Sequence, residues 1–347
     1  MREVILGSTG LKVHKNGFGA LPIQRVSKDE AVSILRRAYE GGINFFDTAR
    51  VYSDSEEKLG EALSDVRKNI VLASKARADN VDNFKANLEK SLKFLKTDYI
   101  DIYQFHNPKF CPLPGDGTGL YEAIASAKEQ GMIGHIGFTN HRLKLAHQAI
   151  DSGLYETLQF PFSYLAEQVD LDLIASAKAH NMGFIGMKGL SGGLITDSAA
   201  AYAFAAQFDN LVPIWGIQRM NELEEWLSYN ENEPVMDDRI RALIENDKKE
   251  LAGDFCRGCG YCMPCPVGIE INTVARISLM IRRSPSEKQL TPERQAAVLK
   301  IEECLHCYQC AEKCPYSLDT PKLLEKNLKD YKEILAGKPY SSADFRR

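Results

Sequence analysis

The sequence predicts an α/β chain in two parts: a closed (β/α)8 barrel of the TIM type over residues 1–250, then a small α-helical domain rich in cysteine. Three observations carry this. Short apolar, β-branched runs alternate with amphipathic helical stretches through the first 250 residues. About eight such strand-helix units fit into roughly the 250 residues that a closed parallel barrel occupies. Eight of the nine cysteines fall after residue 255, in two tight groups. A doubly wound open sheet would carry a G-x-G-x-x-G turn after its first strand, and none stands there.

The elements follow in order. VILGSTGLKV reads as a hairpin turning at Ser-Thr-Gly, placed to plug the bottom of the barrel. NGFGA gives the first barrel strand, and INFFDTA, NIVLASKA and YIDIYQFH the next three, with SEEKLGEALSDV and VDNFKANLEKSLKFL as helices between them. MIGHIGFTN, TLQF, GFIGMKG and VPIW complete the strands, and NELEEWLSY closes the last unit as a helix. The stretches TVARISLMIRR and ERQAAVLKIEECL in the C-terminal domain have helical character. The expected boundaries are 1–250 for the barrel, 251–330 for the cysteine domain and 331–347 for a tail.

With 347 residues, 44% hydrophobic and 26% charged, the chain can build one large core and a small appendage. The formal net charge of −4 comes from interleaved acids and bases, which excludes a nucleic-acid footprint and a polybasic membrane anchor. Small molecules and proteins are the expected partners. MREVILGSTGLKV is too polar for the apolar core of a signal peptide, and no stretch reaches the length of a membrane span, so a cytoplasmic location is expected.

In a closed parallel barrel the chemistry sits at the C-terminal ends of the strands. Here those ends carry Asp47, Lys75, His106, Asn140, Gln159 and Lys188. Any one of them reads equally well as a solvated loop residue. Charged and polar groups converging on one barrel mouth are costly to bury unless paired, so together they point to a site. The Pro- and Gly-rich segment NPKFCPLPGDGTG after His106 borders the same mouth, and its Cys111 reads as an ordinary loop cysteine.

FFDTARVYSDSEEKLGEAL, VLASKA and DIYQFHNP resemble the signature regions of the aldo-keto reductases, and the likeness extends to LGSTGLKV, GFTNH and VPIWGIQRMNELEEW. The resemblance implies a catalytic tetrad of Asp47, Tyr52, Lys75 and His106. It also implies a nicotinamide cofactor, NADP or NAD, with its carboxamide held by Asn140 and Gln159. Lys188 lies on the same rim, and the far end of the cofactor would rest at Gly216, Gln218 and Arg219. Where many family members carry a Lys-Ser pair and an Arg for a 2′-phosphate, this chain has Trp215, Gly216, Ile217, Gln218 and Arg219, which leaves the choice of cofactor open.

The residue types suit that chemistry. Reducing a carbonyl needs a hydride at carbon and a proton at oxygen. Tyr52 can give the proton if a lysine ammonium such as Lys75 favours its phenolate. Bringing a phenol from a pKa of about 10 toward neutrality takes roughly 3–4 kcal/mol, which a desolvated cation a few ångströms away can supply. Asp47 would compensate and fix Lys75, and His106 would orient the carbonyl.

The second cysteine block runs C-x2-C-x2-C-x3-C-P through Cys304, Cys307, Cys310 and Cys314, a ferredoxin-like spacing. The first, Cys256, Cys259, Cys262 and Cys265 before Pro266, is one residue tighter. Two 4Fe-4S clusters are expected, one on Cys256, Cys259, Cys262 and Cys314, the other on Cys304, Cys307, Cys310 and Cys265. Each block lends its last cysteine to the other cluster. Paired zinc sites are the competing reading, and the triplets ending in Cys-Pro argue against them. CGYCMPCPVGI also resembles the C-terminal ferredoxin domain of one aldo-keto reductase branch.

Two functions follow. The first is NAD(P)-dependent interconversion of a small carbonyl and an alcohol. The second is an iron-sulfur electron-transfer protein in which the barrel serves as a docking platform. In either, the clusters could exchange electrons with a redox partner protein, join the substrate chemistry, or hold their domain folded.

Overall fold

Val4 and Val13 are buried while their neighbours Glu3, Ile5 and Lys12 are exposed, the alternation of a strand pair with one covered face. Strands β1 (Glu3–Ile5) and β2 (Lys12–His14) form that antiparallel hairpin. Val4, Leu6 and Val13 pack with Phe45, Val71, Ile102 and Val212 from the starts of the barrel strands, so the hairpin closes the base of the barrel. Gly7, at φ +52, is required there: a Cβ would lie 2.4 Å from the Asn181 carbonyl oxygen and the Gly183 nitrogen.

The computed structural model describes residues 2–251, 255–283 and 286–338. Of the tail expected over 331–347, residues 339–347 lie outside the described residues. By contact the chain divides into two compact units. One holds the residues up to Gly189 together with Ala199–Met236; the other holds Leu190–Ser198 and the residues from Asp237 onward.

The first unit is the barrel. Strands β3 (Gly17–Gly19), β4 (Phe45–Asp47), β5 (Val71–Ala76), β6 (Ile100–His106), β7 (Ile133–Thr139), β8 (Thr157–Pro161), β9 (Gly183–Met187) and β10 (Leu211–Gly216) follow one another in parallel. The ring closes where Ile214 of β10 pairs with Gly17 of β3. Each strand is followed by a helix, in order α1 (Lys28–Glu40), α2 (Ser55–Leu63), α3 (Val81–Phe94), α4 (Leu120–Glu129), α5 (Leu143–Ser152), α6 (Gln168–Ala179), α7 (Ser198–Ala205) and α8 (Met220–Ser228). These are the eight strand-helix units that the alternation of apolar runs predicts. Strand β5 is buried along its whole length, because one face looks into the barrel and the other lies under the helices.

The second unit contains α9 (Asp238–Glu250), α10 (Ile271–Val274), α11 (Ile277–Arg283), α12 (Pro292–Leu299), α13 (Gln309–Glu312) and α14 (Thr320–Leu335). No strand occurs among its described residues from 255 onward, in keeping with the helical expectation. Its core is small: Ile271, Val274, Ile281, Val298, Leu324 and Tyr331 with a few neighbours. Polar ties supplement it. Asn327 of α14 accepts from the Ser278 amide at 3.0 Å and donates to the Ala275 carbonyl at 3.0 Å. Arg282 grips Asp330 in a two-pronged pair at 2.6 and 2.9 Å. No helix among the described residues is long and apolar enough to cross a membrane.

Helices α2 and α3 meet at Gly60, where a Cβ would stand 2.2 Å from the Phe94 carbonyl oxygen. Gly60→Ala should therefore destabilise the barrel by about 1–3 kcal/mol, although alanine favours a helix by about 1 kcal/mol over glycine. Urea denaturation followed by far-UV circular dichroism checks this; an unchanged midpoint would show that the two helices separate freely.

Candidate active site and cluster cysteines

Asp47 is the last residue of β4, and Lys75 lies one residue before the end of β5, so neighbouring strands present both side chains to the barrel interior. The Lys75 ammonium donates to Asp47 Oδ1 at 2.6 Å and to the Thr48 carbonyl at 2.8 Å. Both residues are 1–2% exposed. Burial pulls the lysine below its ordinary value and pushes the aspartate above its own, and their mutual contact opposes both shifts. Removing either partner would leave a buried, uncompensated charge.

The polar chain continues across the barrel. Gln159 of β8 donates to Asp47 Oδ1 at 3.4 Å and accepts from Gln104 of β6 at 2.8 Å. Asp47 Oδ2 has no hydrogen-bond partner among the described residues.

Tyr52 sits in the loop between β4 and α2, half-buried. That loop is stitched to the barrel by its backbone: the Thr48 amide donates to the Ala73 carbonyl and the Arg50 amide to the Lys75 carbonyl, both at 2.9 Å. The Lys75 ammonium therefore stands 5.2 Å from the centre of the Tyr52 ring. His106, the last residue of β6, meets the same ring edge-on with centroids 5.9 Å apart. Burial, then the charges of Lys75 and Arg77, hold the His106 imidazole well below its ordinary value, so it is neutral at pH 7. Its Nδ1 finds no hydrogen-bond partner among the described residues. All four residues of the expected tetrad come together.

The remaining predicted residues are less uniform. Asn140 is fully buried and engaged: it donates to the Pro108 carbonyl at 3.0 Å and accepts from the His141 and Arg142 amides at 2.9 Å. Lys188 follows β9 in a left-handed conformation, φ +59. Gly216 ends β10 and is exposed. The Gln218 and Arg219 amides both donate to Glu222 Oε2, at 2.9 and 3.0 Å, and the Arg219 guanidinium pairs with the same carboxylate at 3.4 Å.

One group escaped the sequence reading. Glu56 of α2 is 1% exposed, accepts from Ser74 at 2.6 Å and pairs with Arg50. Ser74 precedes Lys75 on β5 and points to the opposite face. The Glu56 carboxylate thus fastens the loop that carries Tyr52 to the strand that carries Lys75. Its only signal in the sequence is its place in SEEKLGEAL, which also suits a solvated helix face.

The cysteines line two pockets of the second unit. One is bordered by Cys256, Cys259, Cys262 and Cys314. The other is bordered by Cys265, Cys304, Cys307 and Cys310, with Cys262 also at its edge. Among the described residues no three His, Cys, Asp or Glu side chains converge on a single ion position. Four thiols around an open space suit the corners of a polynuclear cluster better than the tight tetrahedron of one zinc ion. Burial and the neighbouring Cys256 and Cys259 push the Cys262 thiol up to about 12. Metal binding must therefore displace protons there. Cys111, in the loop after β6, is buried, and its thiol is pushed up to about 11, which makes it a poor nucleophile.

A closed parallel barrel with a buried Asp-Lys pair, a tyrosine and a histidine at the C-terminal ends of its strands has the layout of a barrel enzyme able to move a proton. Residues 5–200 match the model of the Aldo/keto reductase family, and the chain belongs to that family. Residues 255–319 match a 4Fe-4S dicluster domain. An L-galactose dehydrogenase of Arabidopsis thaliana is 31% identical over 211 residues, 55% of this chain and 66% of that protein. A methylglyoxal reductase of Salmonella typhi is 32% identical over 134 residues, 36% of this chain and 48% of its own. The chain thus spans less than two thirds of the length of either relative. An aldo-keto reductase of known structure from Bacillus halodurans superposes with a TM-score of 0.63 at 20% identity, covering 71% of this chain and 96% of that one. At that identity it attests the fold.

Because His106 is held neutral, the unfolded chain takes up a proton on acidification that the native barrel refuses. Its contribution to stability is present above about pH 6.5 and is lost as pH falls below that value. From pH 7 to 5.5 the wild type should lose about 1 kcal/mol more unfolding free energy than His106→Gln, measured by urea denaturation. Equal losses would place His106 in a solvated environment.

Proposed function

We propose that the barrel interconverts a small carbonyl compound and its alcohol, with Tyr52 as the group that gives and takes the proton. The observation that carries this reading is the buried Lys75-Asp47 pair set against the Tyr52 ring. A bound nicotinamide, NADP(H) or NAD(H), supplies or accepts the hydride. Lys75 favours the phenolate of Tyr52 by its charge, so the hydroxyl can release its proton to the developing alkoxide. Asp47 keeps Lys75 in place and compensates it. Neutral His106 orients the carbonyl by hydrogen bonding, without competing as an acid.

The residues fit such a cofactor. Asn140 and Gln159, fixed by their own hydrogen bonds, would hold its carboxamide. Lys188, Gly216, Gln218 and Arg219 would border the rest of it. Because Glu222 already holds the Gln218 and Arg219 amides, rates with NADH and NADPH must be compared to fix the choice. The names of two relatives suggest sugars such as L-galactose and small dicarbonyls such as methylglyoxal as first substrates to test.

In the second unit the reading includes two 4Fe-4S clusters, on Cys256, Cys259, Cys262 and Cys314 and on Cys304, Cys307, Cys310 and Cys265. The lining of the two pockets supports this crossed set, since Cys314 stands with the first block and Cys265 with the second. The clusters serve as one-electron carriers toward a partner protein. Cys307 is exposed between Leu305, 65% exposed, and Tyr308, 50% exposed, which suits electron exchange across a surface. In the rival reading, with the barrel as a docking platform, an ion pair buried at the barrel mouth would cost desolvation and serve no purpose.

Tyr52→Phe tests the proposal. In protein prepared without oxygen, carbonyl reduction should fall by about 10²–10⁴-fold while nicotinamide binding, read by fluorescence titration, and iron content are retained. Undiminished turnover would exclude Tyr52 as the proton donor.

A further inference from the structure

Arg276, between α10 and α11, is 7% exposed, an unusual state for a guanidinium. It pairs with no carboxylate among the described residues. It donates instead to the Gly192 carbonyl and to Met280 Sδ. Two glycines make room for it. A Cβ at Gly258, between Cys256 and Cys259, would stand 2.7 Å from Arg276 Nη1, and one at Gly192 would stand 2.6 Å from it. Both glycines have positive φ, +64 and +67. The Gly258 amide meanwhile points to Cys256 Sγ at 3.4 Å. Arg257, which borders the pocket of Cys256, Cys259, Cys262 and Cys314, is half-buried and lies over the Tyr316 ring at 4.4 Å, whereas Arg276 packs behind Gly258, between two of those cysteines.

A desolvated cation without an acidic partner is costly unless something anionic faces it. We propose that Arg276 faces the cluster on Cys256, Cys259, Cys262 and Cys314, and that its charge raises the reduction potential of that cluster selectively. The inference rests on the two-cluster reading given above. Four thiolates on a [4Fe-4S]²⁺ core carry a net charge of −2, and uptake of one electron makes it −3. A fixed positive charge stabilises the second state more than the first, so it favours reduction. Among the described residues bordering the other pocket there is no arginine or lysine, so the charge of Arg276 acts on one cluster more than on the other.

The test is an anaerobic titration of the full chain with dithionite, read by visible absorbance and electron paramagnetic resonance, for wild type, Arg276→Gln and Arg276→Lys. In Arg276→Gln, one midpoint should move to more negative potential. The reduced-to-oxidised ratio at a fixed potential should drop about tenfold, which is about 59 mV for one electron, and the other midpoint should stay in place. Arg276→Lys keeps the charge and should stay near wild type. An iron-replete Arg276→Gln with both midpoints unmoved, or both moved alike, would overturn the proposal. So would Arg276→Lys shifting as far as Arg276→Gln. If Arg276→Gln loses one cluster's iron, retention at the wild-type midpoint in Arg276→Lys supports the role of the charge, and loss in both variants reduces Arg276 to packing. Wild-type protein without iron would end the two-cluster reading itself, an outcome read from iron content rather than from midpoints.

Discussion

The ion pair between Asp47 and Lys75 is the interaction on which the barrel mouth depends. Two charges taken out of water are tolerable only if each satisfies the other, and here a 2.6 Å contact is backed by the Thr48 carbonyl and by Gln159. The closed barrel makes the pairing possible, because adjacent parallel strands deliver side chains to one height at their C-terminal ends. Once Lys75 is fixed, the backbone bond from Arg50 to its carbonyl fixes the loop, and the loop fixes Tyr52. Glu56 secures the same two pieces from the outer face of β5 through Ser74 and Arg50. Inner and outer faces of a single strand thus share one task.

The second unit answers a different constraint. Its apolar core is too modest to order a long cysteine-bearing segment by burial alone, and part of its order comes from polar ties such as Asn327 and the Arg282-Asp330 pair. Thiols gathered in a buried place resist ionisation, as Cys262 does, until iron replaces their protons. Where such thiols bind metal, binding and folding are coupled. The buried guanidinium of Arg276 adds a charge of the sign that such thiolates need.

Much of this was legible in the sequence because periodicity and spacing report on it directly. Apolar runs alternating with helical stretches gave the eight units, and polar residues at strand ends picked out Asp47, Lys75 and His106. The cysteine spacing anticipated the crossed lining of the two pockets by Cys265 and Cys314. Glu56 and Lys58 lie beside each other in a charged helical segment and read as a solvated face, yet both are buried, Lys58 giving its ammonium to the Ile23 and Val26 carbonyls. Arg276 is hidden in TVARISLMIRR for the same reason. Which backbone oxygens will receive a buried cation depends on tertiary packing that no local pattern encodes. Likewise, nothing local shows that residues 190–198 and the helix Asp238–Glu250 group with the cysteine-bearing unit, where Arg283 donates to the Leu194 carbonyl and to Asp247.

The central claim is that the barrel mouth transfers hydride to a carbonyl carbon. A single turnover under anaerobic conditions, with nicotinamide deuterated at both C4 positions and a reducible aldehyde or ketone, tests it most directly. The account predicts one deuterium on the carbinol carbon of the product and a slower turnover than with the protiated cofactor. Cofactor oxidation that bleaches the clusters and leaves no deuterium in an alcohol product would contradict it, and would make the chain an electron carrier built on a reductase framework.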